Sequence, residues 1–133
     1  MVRGLFKRKK KEEKIEKQVE IEKTSLENIC GDDSEVCQAL WHTMFLEPQK
    51  IDVTLEEAIK KATEFEKQKQ TRKARIWYHV AGGLALWKGD VTKVKQYFGK
   101  CEKLAPEMDY GLIMKIPEKA VAKAQEYYKK FLG

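Results

Sequence analysis

From Glu12 to the end of the chain, apolar residues recur at intervals of three and four, the spacing that lines one face of an α-helix. No segment sustains the period-two alternation of β-branched residues that marks a strand, and only three prolines interrupt the pattern. A charged first helix is predicted over Glu12–Ile29, with Ile15, Val19, Leu26 and Ile29 on its stripe and Glu22 breaking it. Such a helix is marginal on its own. Gly31-Asp32-Asp33-Ser34 reads as a turn that supplies a cap, and a second helix follows to Leu46. Its apolar face is Val36, Cys37, Leu40, Trp41, Met44 and Phe45, and Pro48 stops it. Thr54 and Glu57 stand at the spacing of a capping box, opening a third helix that buries Leu55, Ala58, Ile59, Ala62 and Phe65. From Glu66 to Lys73 the chain is polar throughout, which predicts solvated or frayed last turns.

Two further helices are expected at about Ala74–Lys88 and Val91–Leu104, with Asp90 capping the second and Pro106 ending it. Met108–Ile116 is apolar but irregular. The last helix, Pro117–Leu132, carries Ala120, Val121, Ala124, Tyr128, Phe131 and Leu132 on one stripe, with Pro117 suited to a first helical position. The prediction is therefore an all-α domain of five or six antiparallel helices.

The helix Ala74–Lys88 differs from the others in being apolar nearly all round: Ile76, Trp77, Tyr78, Val80, Ala81, Leu84, Ala85, Leu86 and Trp87. A helix of this kind belongs at the centre of a domain. Counting from Arg75, an aromatic falls at the fourth position (Tyr78) and small residues at the seventh and eighth (Ala81, Gly82). Ala85, the Gly89-Asp90 turn, Val94, Phe98, Cys101 and Pro106 follow in register. Arg75–Met108 thereby resembles one tetratricopeptide repeat (TPR), a helix–turn–helix unit of about 34 residues. It covers about a quarter of the chain.

The resemblance implies a TPR-like array of helical hairpins, an alpha-alpha superhelix, that binds another protein or peptide without catalysis or cofactor. It puts the partner-facing concave strip at Ile76, His79, Gly83, Leu86 and Trp87. Within the unit, Tyr78, Ala81, Gly82 and Ala85 are expected to pack on Val94, Phe98 and Cys101. Two readings of the strip stand side by side. In one it is an open groove anchored by Trp87. In the other, the C-terminal helix or the second helix folds across it, since a small domain seldom leaves a large apolar patch bare.

Charge changes this picture only at the N-terminus. Arg3, Lys7, Arg8, Lys9, Lys10 and Lys11 precede any acid, while from residue 12 onward 21 basic residues balance 21 acidic ones. Residues 1–11 are thus expected to form a flexible basic arm, residues 12–30 a loosely attached charged helix, and residues 31–133 the TPR-like helical domain. An arm that interleaves Val2, Leu5 and Phe6 with six cations suits an anionic membrane surface or nucleic-acid phosphates, and equally a solvated tail. Self-assembly through the strip around Trp87 is a third reading. The 23 Lys and 16 Glu, against 4 Arg and 5 Asp, follow the compositional trend of hyperthermophiles.

Other chemistry finds little support. There is no apolar run long enough to span a membrane and no secretory h-region, which gives the expectation of a cytoplasmic protein, peripheral at a membrane if the arm docks there. Cys30, Cys37 and Cys101 form an odd set, with Cys101 in a core slot. A bridge between Cys30 and Cys37 is open only in the setting of an intracellular hyperthermophile, where disulfides occur, and the sequence does not decide it. Cys30, Cys37 and His42 lack the paired spacing of a zinc site. With two histidines, no Gly-rich phosphate loop and no nucleophile beside a base, the sequence predicts no enzyme, no metal and no cofactor.

Overall fold

The computed structural model describes residues 26–132, and within them the chain is all-α, without a strand. The basic arm of residues 1–11 and most of the predicted charged helix lie outside the described residues. Residues 26–30 are helical. Six further α-helices follow: α1 Ser34–Thr43, α2 Leu55–Lys67, α3 Thr71–Lys88, α4 Val91–Leu104, α5 Gly111–Lys115 and α6 Pro117–Phe131. Short 3-10 turns at Pro48–Lys50 and Pro106–Met108 complete the regular structure.

The caps expected from the sequence set several boundaries. Thr54 Oγ1 accepts from the Glu57 amide at 3.1 Å while the Glu57 carboxylate accepts from the Thr54 amide at 3.4 Å, closing the capping box. Asp33 caps α1 and Asp90 caps α4 through their carboxylates. Gly89 ends α3 at φ +74°, with its amide bonded to the Leu86 carbonyl and that of Asp90 to the Ala85 carbonyl. This is the Schellman arrangement, which needs a left-handed residue at that point.

Two boundaries differ from expectation. Helix α1 stops at Thr43 rather than Leu46: Met44 turns extended (φ −85°, ψ 150°), and the chain has left the helix four residues before Pro48. The polar stretch Glu66–Lys73 is solvated, with Lys67 through Lys73 exposed, but not frayed: it holds the junction between α2 and α3, and α3 begins at Thr71 instead of Ala74. The junction is a second Schellman turn, with Lys69 at φ +59°, its amide on Glu66 and that of Gln70 on Phe65. A lysine in this conformation costs roughly 1–2 kcal/mol, which glycine avoids. Lys69→Gly is accordingly expected to stabilise the fold by about 1 kcal/mol, read as a higher urea midpoint.

Helix α3 is the centre of the domain. It packs against α2 on one side and α4 on the other, and α1 and α6 reach it as well. Ala81 through Leu86 form an unbroken buried run, which explains the all-round apolar sequence. Tyr78, Ala81, Gly82 and Ala85 are buried, as are Val94, Phe98 and Cys101 of α4. The approach is close: a Cβ on Gly82 would stand 2.7 Å from the Phe98 ring. Tyr78 is buried with its hydroxyl donating to Glu66 at 2.7 Å, whereas Trp77 is half-buried beneath the Lys61 ammonium, 4.4 Å from the ring centre.

On α6, Ala120, Val121, Ala124, Tyr127 and Tyr128 face the core, while Phe131 and Leu132 are exposed. The irregular stretch after α4 forms the short helix α5, and Tyr110 at its start is among the largest fully buried side chains. Cys30, Cys37 and Cys101 carry free thiols.

Candidate interaction surface

The five residues of the strip share one side of α3 but meet different environments. Ile76 is 43% exposed and Trp87 38% exposed, and they stand eleven residues apart, roughly 16 Å along the helix axis. Between them the chain covers its own strip. A Cβ on Gly83 would collide with the Phe45 ring, so the segment after α1 sits directly on this glycine. Leu86 is fully buried. Helix α6 fastens the cover: Gln125 donates to the carbonyls of Leu86 (2.7 Å) and Trp87 (3.0 Å), and the Tyr128 hydroxyl donates to the Phe45 carbonyl at 2.6 Å. Both segments considered from the sequence, the second helix and the last, contribute.

His79 lies at the middle of the strip inside an aromatic cage. Its ring packs edge-on against Phe98 (5.4 Å) and Tyr110 (5.6 Å), with His42 at 6.0 Å and Phe45 at 6.4 Å. Its Nδ1 lies 2.8 Å from the Tyr110 hydroxyl, which also accepts from Arg75 Nη1 at 3.2 Å. Arg75 donates to this hydroxyl, and a neutral His79 ring with its hydrogen on Nε2 can accept the Tyr110 hydrogen at Nδ1. Burial, then the neighbouring His42 and Arg75, pull the His79 pKa down to about 4. The thiol of Cys101 donates to the Arg75 carbonyl at 3.5 Å, and burial pushes its pKa up to about 12. Cys101 is a core group, with no exposed surface, on the side of α4 that packs on α3.

Sequence reasoning did not single out Phe45 as the cover of Gly83, nor Tyr110 as the partner of His79. Tyr110 lies in the stretch where periodicity lapses, and its only signal is an aromatic residue among Asp109, Gly111 and Leu112.

A second exposed aromatic, Trp41, lies on α1 (42% exposed) beside a pocket of about 160 Å³ lined by Leu26, Glu27, Cys37 and Gln38. A shallower depression of about 440 Å³ on α4 and α5 carries Lys95, Lys100, Lys103 and Glu102 around Gly99 and Met114. Lys95 pairs with Glu118 (2.8 Å) and Lys100 with Glu66 (3.7 Å). That depression is therefore charge-compensated. Among the described residues, no group of His, Cys, Asp or Glu is arranged to hold a metal ion, and no helix is long and apolar enough to cross a membrane.

No protein-family model, curated protein or solved structure matches this chain.

Proposed function

We propose that this chain is a noncatalytic interaction module that engages another protein through the Trp87 end of α3, in the manner of a TPR-like helical hairpin. The observation that carries this reading is a large aromatic side chain, more than a third exposed, on a helix whose backbone is pinned at that point by Gln125. Rigid, partly exposed tryptophans bury much apolar area on binding and lose little entropy in doing so, which is why they recur as interface anchors. The covered middle of the strip leaves the contact small, centred on Trp87 and not extended along Gly83, Leu86 and His79.

The reading predicts that Trp87→Ala weakens capture of the partner by at least about tenfold, a loss above 1 kcal/mol, while changing the unfolding free energy by less than about 1 kcal/mol. Pull-down from the native source, followed by titration of the purified partner against both forms, measures the first. Urea unfolding measures the second. Equal affinity of the two forms for the purified partner would remove Trp87 from the interface.

Self-assembly is a second reading, favoured by the exposure of Trp41, Phe131 and Leu132 in addition to Trp87. It requires a mass that grows with concentration in light scattering.

A further inference from the structure

Cys30 and Cys37 flank the turn at Gly31 and approach each other across it. Cys30 ends the helical stretch of residues 26–30, and Cys37 lies in the first turns of α1. The turn is closed by backbone bonds from Asp33 to the Cys30 carbonyl (3.3 Å) and from Cys37 to the Asp33 carbonyl (3.2 Å). The Cys37 thiol points back over the turn and donates to the Leu26 carbonyl at 3.9 Å, in the helical stretch that Cys30 ends, and lies near enough to Cys30 to influence its titration. The two thiols differ in access. Cys30 is buried, whereas Cys37 is half-buried and lines the open pocket beside Trp41.

We propose that Cys30 and Cys37 form a redox pair, in which Cys37 reacts with low-molecular-weight disulfides from solvent and Cys30 completes an intramolecular bond. In the first step the Cys37 thiolate, its proton released to solvent, attacks one sulfur of the disulfide. A mixed disulfide forms and one thiolate of the reagent leaves. In the second step the Cys30 thiolate attacks the Cys37 sulfur, a second reagent thiolate leaves, and both leaving groups take up protons. One external disulfide is reduced to two thiols and one protein dithiol is oxidised, so atoms and electrons balance without another reactant. The new bond would tie residues 26–30 to α1 beside the pocket lined by Trp41.

The second step has a distinctive pH dependence. Burial, the contact with Cys37 and the nearby Asp33 push the Cys30 thiol up to about 12, only partly offset by Lys123 of α6. Its thiolate is therefore scarce at neutral pH, and the closing step is expected to accelerate by about tenfold per pH unit through the mildly alkaline range.

The test is incubation of the full chain with oxidised glutathione, followed by maleimide labelling of the remaining thiols and peptide mapping. No Lys or Arg separates the two cysteines, so cleavage after Glu35 is used, leaving the two halves joined only through sulfur. The expected result is a fall from three reactive thiols in the denatured protein to one, assigned to Cys101, with a Cys30–Cys37 linked peptide that forms faster at higher pH. In Cys37→Ser, Cys30 is expected to remain a thiol. Glutathione that stays on Cys37 across the pH range, a link to Cys101 or to a second copy, or three unchanged thiols would each overturn the proposal.

Discussion

Replacing Phe98 by alanine is expected to lower the unfolding free energy by about 4 kcal/mol. Phe98 has no exposed surface, packs its ring on Gly82 of α3, meets the His79 ring edge-on and stacks on Tyr110 at 6.0 Å. Truncation removes the ring that fills the space over Gly82 and leaves a cavity between α3 and α4. A domain of this size has roughly 5–15 kcal/mol in total, and the variant should sit near its unfolding threshold at moderate temperature. Urea unfolding followed by far-UV circular dichroism measures the loss. A cost under about 1 kcal/mol, typical of a surface position, would contradict the packing of α4 on α3.

Acidification is expected to destabilise the protein through His79. In the unfolded chain this imidazole has its ordinary pKa of 6.5, whereas in the folded cage it is held at about 4. Between these values the unfolded state binds a proton that the folded state refuses. Stability is therefore complete above pH 6.5 and falls as the pH drops toward 4. The loss is about 2 kcal/mol by pH 5 and about 3 kcal/mol below pH 4. Structurally, protonation would place a charge in a buried aromatic cage, with the Arg75 guanidinium already bonded to the Tyr110 hydroxyl that His79 faces. Carboxylates titrate in part of the same window, so the informative quantity is the difference between wild type and His79→Gln. Glutamine still offers an acceptor to Tyr110 and does not titrate. Parallel stability curves for the two forms between pH 7 and pH 5 would show that His79 is not held neutral by its cage.

Most of the helical layout was legible because local rules and tertiary packing agree. Thr54 with Glu57, Asp90 and Pro117 place helix starts that the structure keeps, and the all-round apolar helix is the central one. The α2–α3 junction was hidden for a physical reason: its left-handed residue is Lys69, so the glycine that normally announces such a turn is missing. The early end of α1 was hidden because Phe45 and Leu46 extend the apolar pattern after the backbone has left the helix. That departure is what delivers Phe45 onto Gly83, and it divides the strip. The positions of Ile76, His79, Gly83, Leu86 and Trp87 on one side of α3 follow from helical spacing alone. Which of them reach solvent depends on Phe45, Gln125 and Tyr128, residues 38 to 83 positions away from their partners. Periodicity carries no information about contacts at that separation.

The central claim is that the chain closes the middle of its α3 strip and leaves Trp87 open. Nuclear magnetic resonance with a soluble paramagnetic probe tests this on the intact protein, without a partner. The Trp87 indole signal is predicted to broaden strongly, while the Leu86 methyl groups and the Gly83 amide remain sharp. Comparable broadening of Leu86 and Trp87 would mean that Phe45 and α6 do not cover the strip, and would contradict the account.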